Sequence, residues 1–220
     1  MKMKKLIDNK DYPGIEQALS DNPALANEEI PYDETNSTKA HPLHRICDGV
    51  FTGKYSDEEA VEMARIFIEH GANINGNRME IKKDTPLVAA ASLNADKVAF
   101  LYIDRGANIH HAGCHGGSAL HWAAWCGRDK LVARLIQEGA EINMRCIDFT
   151  STPLFWAVHG LKRGDHTNRQ NHLESVKILV QSGADKNIPN AEGKSVFDLL
   201  SDEDSDLKEI LGPSFLGSPG

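Results

Sequence analysis

The side chains best suited to chemistry are concentrated in one short stretch, residues 109–121, which reads IHHAGCHGGSALH. Histidines and cysteines dominate this stretch and the residues after it: His110, His111, Cys114, His115, His121, Cys126 and Cys146. Imidazole nitrogens and thiolates bind zinc, and a site needs three or four of them converging on one ion. Their spacing matches no zinc finger, zinc ribbon or HExxH pattern. We therefore expect no metal site, and a metal-binding protein that uses the His110–Cys126 cluster is the alternative hypothesis.

Acid–base chemistry is the other option that the residue types offer, since Asp148 and His159 could form an acid–base pair. No motif ties a nucleophile to this pair, and the chain contains neither a GxSxG elbow nor a P-loop. An enzyme working in a groove would also need a deep pocket with a strongly shifted carboxylate or histidine. The sequence therefore predicts no catalytic residues, no cofactor and no enzymatic activity.

Composition and charge restrict the class of protein further. The chain has 220 residues, 40% hydrophobic and 25% charged, which is typical of a globular protein. A net charge of −8 argues against general nucleic-acid binding, because phosphate contacts need a basic face. The basic N-terminal stretch leads into no apolar run, so we expect no signal peptide and no membrane span. Without a CxxC pair, the four cysteines are expected to be reduced thiols in a cytoplasmic protein.

The elements that must position these residues are repeats. Gly-Ala pairs begin at residues 71, 106, 139 and 183, at spacings of 35, 33 and 44 residues. A second marker precedes each pair, as HPLHRICD from His41, TPLVAAAS from Thr85, SALHWAAW from Ser118 and TPLFWAVH from Thr152, with a degenerate copy, SVFDLL, from Ser195. A period of 33 with insertions of about ten residues explains every interval.

This pattern resembles the ankyrin-repeat family, whose signature is T-P-L-H-x-A at a period of 33, and the resemblance covers roughly residues 5–211. It implies an all-α fold, an ankyrin-repeat solenoid of about six stacked helix-turn-helix repeats with divergent terminal caps. A single domain is expected over residues 1–211, followed by a flexible tail, 212–220. The predicted units are residues 5–27, 36–77, 80–112, 113–145, 147–189 and 190–211.

Elementary physical chemistry supports this reading of one unit. Thr85 and Thr152 can cap a helix whose first residue is a proline. Alanine pairs such as Ala123-Ala124 allow a short helix to lie close to its neighbours. A second helix follows each first one, and the glycine of each Gly-Ala pair can take the left-handed conformation that ends it.

Three insertions interrupt the period, at residues 28–38, 50–58 and 161–170. Ser56 and Glu59 have capping-box spacing, which predicts a helix start directly after the second insertion. Insertions at the loops of a repeat protein cost little stability and often shape a binding face. Tolerated drift explains them equally well.

The resemblance also separates structural residues from candidate binding residues. It implies that His44 and His121 hydrogen-bond loop backbone and that Trp122 and Trp156 pack between units. Trp125 falls in a slot that faces the concave groove of the family, where a tryptophan has no folding duty. Such a tryptophan suits a recognition hot spot, and a ring lying flat over its neighbours is the alternative. The residues expected to cap the repeats are His44, Thr85, His121 and Thr152.

The equivalent groove slots and loop tips of the other units complete a candidate binding surface. The predicted partner-binding groove comprises Trp125, His115, Phe149, His159, Asp148 and Lys82. Aromatic residues in the middle with polar residues at the edge are typical of an interface. His115 and His159 would make binding sensitive to pH near neutrality. The predicted function is a non-enzymatic, monomeric protein–protein interaction module, a scaffold, adaptor or inhibitor, that binds a partner protein through this groove.

Overall fold

The computed structural model describes residues 2–33, 35–163 and 168–213, and these are mostly helical. They contain eleven α-helices, three short 3-10 helices and two strands of two residues each. The chain divides into two compact units, Met1–Asn108 and Ile109–Gly220. None of the helices in the described part is long and apolar enough to cross a membrane.

The first unit is built from three helix pairs. Its helices are α1 (Lys2–Asp8), α2 (Tyr12–Asp21), α3 (Pro42–Phe51), α4 (Asp57–Glu69), α5 (Pro86–Ser92) and α6 (Asp96–Asp104). Within the unit α3 packs on α5, while α4 lies between α2 and α6. The core between them is apolar and fully buried, with Ile7, Leu19, Leu43, Ile46, Met63, Phe67, Leu87 and Tyr102.

The second unit repeats this arrangement and ends in a shorter element. Its α-helices are α7 (Ala119–Trp125), α8 (Asp129–Gln137), α9 (Pro153–Arg163), α10 (Arg169–Gln181) and α11 (Ser205–Leu211). Helix α7 packs on α9 and α8 on α10, while α9 also contacts the 3-10 helix Val196–Leu199 and α10 contacts α11. These helices agree with the predicted hairpins, and the number of repeats, about six, stays a prediction.

The helix boundaries follow the predicted local chemistry. The Thr85 hydroxyl accepts a hydrogen bond from the Val88 N–H, and Thr152 does the same for Phe155 N–H. Ser56 and Glu59 form the predicted capping box at the start of α4. The glycines of all four Gly-Ala pairs have φ between +80° and +92°, the left-handed region in which a side chain would be strained.

The N-terminus of α6 is capped by a side chain of the preceding hairpin. No side chain of its own caps α6. Instead the Asp57 carboxylate, at the start of α4, accepts hydrogen bonds from the backbone N–H groups of Lys97 (2.6 Å) and Val98 (3.2 Å). These N–H groups would otherwise lack partners at the helix N-terminus. The cap therefore joins two successive hairpins.

The insertion at 28–38 departs from the all-α expectation, because it pairs with the two residues directly after it in a short antiparallel ladder. Ile30–Pro31 (β1) pairs with Lys39–Ala40 (β2), with Ile30 opposite Ala40. Arg45, on α3 and only 6% exposed, holds this hairpin: its guanidinium donates to the carbonyl oxygens of Ile30 (3.0 Å) and Thr38 (2.6 Å). Its remaining nitrogen pairs with the Asp48 carboxylate at 2.6 Å. The Arg45 side chain therefore joins the insertion to α3 and to the core of the first unit.

The other two insertions lie between the helices of a pair. In the 50–58 insertion Tyr55 is buried and donates its hydroxyl hydrogen to the Ile46 carbonyl at 3.0 Å. The insertion thus adds a core residue to the first unit. Helix α9 extends into the 161–170 insertion as far as Arg163 and α10 begins at Arg169. Residues 164–167 of that insertion and 214–220 of the predicted tail lie outside the described residues.

Two buried histidines act as caps. Nδ1 of His121 accepts from the Ser118 N–H at 3.1 Å, which leaves Nε2–H to donate to the Ser151 carbonyl at 3.2 Å. This tie between successive loops is the predicted one. In the first unit the helix cap is His41, whose Nδ1 accepts from the Leu43 N–H, whereas His44 lies 4.0 Å from the Asp48 carboxylate. His41 thus fills the position that Thr85 and Thr152 hold in the later units, and the tie predicted for His44 stays a prediction.

Replacing Arg45 with methionine removes the anchor of the β1–β2 hairpin. The apolar side chain fills similar volume but leaves two carbonyl groups and Asp48 without their partner. We expect the free energy of unfolding to fall by about 2–4 kcal/mol, measured by urea unfolding. The control Arg65→Met removes an exposed guanidinium paired with Glu62 and should change stability by less than about 0.5 kcal/mol. Equal effects of the two changes would contradict this role.

Lowering the pH should reduce the free energy of unfolding of the second unit through protonation of His121. Burial lowers the pKa of His121 from 6.5 to about 4, so between these values the unfolded chain binds the extra proton. The stabilisation is complete above pH 6.5 and is lost as the pH falls towards 4. His121 alone should cost roughly 2 kcal/mol between pH 7.5 and pH 5.

Tryptophan fluorescence during urea unfolding measures this loss, because all three tryptophans, Trp122, Trp125 and Trp156, belong to the second unit. His121→Gln should be less stable at pH 7.5 and should lose less stability on acidification than the wild type. An equal loss in both proteins would exclude His121 as the group responsible.

Candidate functional site

A cleft of about 640 Å³ opens in the second unit between side chains of α7, α9 and the loops beside them. Its aromatic lining consists of Trp122, Trp125, Phe149, Phe155, Trp156 and the rings of His115 and His159. Its remaining lining consists of Ser151, Arg163, Asn190, Glu192, Lys194 and Leu199. We call this site the aromatic cleft. Its volume is in the range of small-molecule and side-chain pockets.

Edge-to-face packing organises the rings around Trp156, which is 6% exposed. The Trp122 and Trp156 centroids lie 5.1 Å apart with planes at 85°, and Trp125 lies 6.0 Å from Trp156 at 74°. Trp125 in turn meets the His159 ring at 5.2 Å and 69°. Such arrangements are favoured by the ring quadrupoles. Contacts between the rings therefore restrict the rotamers of the side chains that line the cleft.

The Trp122 indole N–H is buried and has no hydrogen-bond acceptor among the residues that the structure describes. A buried donor without a partner costs free energy, so ring packing must compensate for it. The side chain is held by its neighbours Trp156 and His115, whose centroids lie 5.1 and 6.3 Å away.

Close contact between two helix backbones creates the cleft. Ala123 and Ala124 are fully buried on α7, and a Cβ atom added to Gly160 on α9 would collide with the Trp125 carbonyl oxygen. Because no side chain separates the two helices there, the larger rings are displaced to one side. Residues three apart share a helix face, which places Trp122 with Trp125 and Trp156 with His159.

Three successive loop tips form one wall of the cleft and are joined by hydrogen bonds. His115 has a left-handed backbone (φ +57°), and its Nδ1 lies 3.1 Å from the Asp148 carboxylate. Its carbonyl accepts from the Asp148 N–H, and the Phe149 carbonyl accepts from the Ala191 N–H at 2.9 Å. The Phe149 ring, 48% exposed, lies 5.2 Å from that of His115. The loops thus present an aromatic edge supported by backbone contacts.

The structure brings four of the six predicted groove residues together. Trp125, His115, Phe149 and His159 line the aromatic cleft, and Asp148 pairs with His115 behind its edge. Trp125 is half-buried, neither sealed in the core nor lying free. Lys82 belongs to the first unit, where its backbone is left-handed (φ +66°). The binding role of all six residues stays a prediction.

Several lining residues were missed by the sequence reasoning, although signals for them exist. Phe155 and Arg163 lie four residues before and after His159, on the same face of α9. Extending the loop-tip alignment by one more unit would have found Glu192 and Lys194. Trp122 and Trp156, which the resemblance predicts to pack between units, also line the cleft.

The other chemical hypotheses find little support in the geometry. Nowhere in residues 2–33, 35–163 and 168–213 do three His, Cys, Asp or Glu side chains gather as metal ligands. Asp148 pairs with His115 rather than with His159. Burial, and then the charge of Arg163, lower the pKa of His159 below 6.5. His159 is therefore a neutral ring at neutral pH, and its charge change moves to more acid values than the sequence suggested.

Alanine at position 160 tests the contact between the helices. Helix propensity alone predicts that Gly160→Ala stabilises the protein by about 0.5–1 kcal/mol. The clash with the Trp125 carbonyl predicts the opposite, a loss of roughly 1–3 kcal/mol, together with an altered tryptophan emission spectrum. Urea unfolding followed by tryptophan fluorescence decides between the two signs.

Comparison with known proteins places the repeats in a family. A model for ankyrin repeats in three copies matches residues 55–146 and 101–190, together more than half of the chain. Mouse palmitoyltransferase ZDHHC13 is 33% identical over 141 residues, 59% of this chain and 21% of that protein. Human ZDHHC13 is 36% identical and the Drosophila melanogaster palmitoyltransferase Hip14 30% identical, each over 93 residues, which are 42% of this chain and 13% of theirs.

This chain therefore spans about a fifth or less of the length of these curated relatives. The matched family model covers α4 to α10. The chain belongs to the ankyrin-repeat family.

Proposed function

We propose that this chain is a non-enzymatic protein-interaction module that binds a partner protein through the aromatic cleft of its second unit. The single observation that carries the proposal is the cleft lining, in which Trp122, Trp125, Phe149 and Trp156 meet in one open site. Tryptophan is enriched among residues that dominate binding free energy, and its preorganised rings lose little entropy when a partner docks.

The polar lining supports the same reading. Asn190, Glu192, Lys194 and Arg163 lie beside the rings rather than among them. An apolar centre with a polar periphery is the usual anatomy of a protein interface. The ankyrin-repeat family is itself associated with protein interaction, which makes a protein the favoured class of ligand.

Catalysis in the cleft is a weaker candidate. Its one carboxylate, Glu192, accepts a hydrogen bond from Lys194 at 2.8 Å, which lowers its pKa as in an ordinary surface pair. Of its two histidines, His159 has no nucleophile or carboxylate partner among the described residues, and His115 pairs with Asp148. That pair is partly exposed, 45% and 30%, which is typical of a surface pair. The relatives are named as palmitoyltransferases, but the match covers only a small part of each. We propose the binding role for this chain, as a cytoplasmic monomer, and not the transferase activity.

The double change Trp125→Ala with Phe149→Ala should abolish partner capture. Each ring offers apolar surface that a docked partner would bury, so we expect capture from lysate, measured by quantitative mass spectrometry, to fall more than about tenfold. Trp125 also packs on Trp156, so its loss should lower the unfolding free energy by about 1–2 kcal/mol. A change of this size leaves the thermal transition cooperative and only slightly lower in temperature.

Phe51→Ala is the matched control, because Phe51 is 61% exposed and lies in the first unit. Its capture profile should equal that of the wild type. Unchanged capture by the double variant would reject the cleft as the binding site. A collapse of its thermal transition would instead assign both rings to the core.

A further inference from the structure

One positive charge of the aromatic cleft, that of Arg163, has no carboxylate partner in the part of the chain that the structure describes. Arg163 ends α9, is exposed and lines the cleft. Among residues 2–33, 35–163 and 168–213 no carboxylate pairs with it. Its neighbour Lys162 differs, because its ammonium binds the Asp204 carboxylate and fastens the last element to α9.

Arg163 could serve only the fold, since a cation at a helix C-terminus is favoured by the helix dipole. Two observations point to more. Its side chain lines the cleft, and its charge is felt by the His159 ring, whose pKa it lowers. His159 touches Trp125 at 5.2 Å between centroids, so the guanidinium is close to the aromatic lining.

The lining of the cleft is less acidic than the chain as a whole. The protein has a net charge of −8, whereas the lining holds two cations, Arg163 and Lys194, and one carboxylate, Glu192. Glu192 is neutralised by Lys194. The Asp148 carboxylate lies behind the edge of the cleft, against His115. The cation of the lining without a carboxylate partner among the described residues is therefore Arg163, and a carboxylate of a ligand placed beside it would gain a favourable charge interaction that a lysine or methylated lysine side chain would lack.

We propose, building on the proposed function, that the partner docks an acidic segment in extended form, with an apolar side chain on Trp125 and Phe149 and a carboxylate on Arg163. The spacing can be bounded from the helix. Arg163 lies one turn beyond His159, which contacts Trp125, so roughly two to four residues of extended chain separate the apolar anchor from the carboxylate.

Synthetic peptides test this chemistry directly. The probes are labelled decapeptides of Gly and Ser with one Leu or Phe, and with Asp, Asn or Lys placed one to four residues away on either side. Fluorescence anisotropy gives the affinity of each peptide for the full chain. We expect the Asp form at two to four residues to bind roughly three- to tenfold more tightly than the matched Asn form, and the Lys form most weakly. Raising the salt concentration should reduce the Asp advantage.

Two variants assign the preference. Arg163→Gln should remove the Asp advantage and keep the affinity for the Asn form, because the apolar contacts remain. Lys130→Gln removes the same charge from an exposed position on α8 outside the cleft and should behave as the wild type. Circular dichroism of both variants confirms that they are folded.

Several results would overturn the inference: no Asp advantage in the wild type, an advantage that survives Arg163→Gln, or a preference for Lys. Binding of phosphatidylserine vesicles in place of every peptide would also reject it. Peptides that bind through Trp125 without any Asp preference would leave the proposed function standing and remove only the acidic partner. Failure of partner capture to respond to the double variant described above would reject the proposed function itself.

Discussion

The aromatic cleft depends on one steric constraint, the approach of Gly160 on α9 to the Trp125 carbonyl on α7. Small residues at this crossing, together with Ala123 and Ala124, bring two backbones into direct contact. The bulky rings that flank them on each helix then have room on only one side. Interior packing is dense, so a side chain larger than hydrogen at position 160 cannot be absorbed locally. The same contact that holds two hairpins together thus exposes the rings.

Polar side chains supply the second kind of tie, and each satisfies backbone groups of another hairpin or insertion. Asp57 caps the start of α6, His121 donates to the Ser151 carbonyl, and Arg45 binds two carbonyls of the β1–β2 hairpin. Because buried backbone groups without partners are costly, these bonds specify which segments lie together as well as how strongly. Repeats gain stability from such neighbour contacts, since one hairpin alone has too little core.

Features that depend on local pattern could be predicted from the sequence, and features that depend on insertions could not. Thr85, Thr152 and the capping box of Ser56 are set by neighbours within three residues. Trp125, His115, Phe149 and His159 recur at fixed positions of the period, so alignment of the units brought them together. Arg45 acts on a strand pair that the 28–38 insertion forms with the residues after it, and Arg163 lines the cleft only because α9 continues into the 161–170 insertion. The 161–170 insertion shares its place between two helices with the 50–58 insertion but not its sequence, and the 28–38 insertion has no equivalent in the other units. Alignment of the units therefore predicts the path of neither.

The backbone of His115 has a left-handed conformation that glycine would adopt without strain, yet this position carries an imidazole ring. Its φ of +57° costs an ordinary residue about 1 kcal/mol, yet its imidazole contacts Phe149 and Asp148 at the edge of the cleft. His115→Gly would therefore relieve this backbone cost and, at the same time, remove the ring that packs on Phe149 and Trp122 and shapes the edge of the cleft. A substitution in this loop that raises stability would also change the binding surface, so variants screened for one property should be checked for the other.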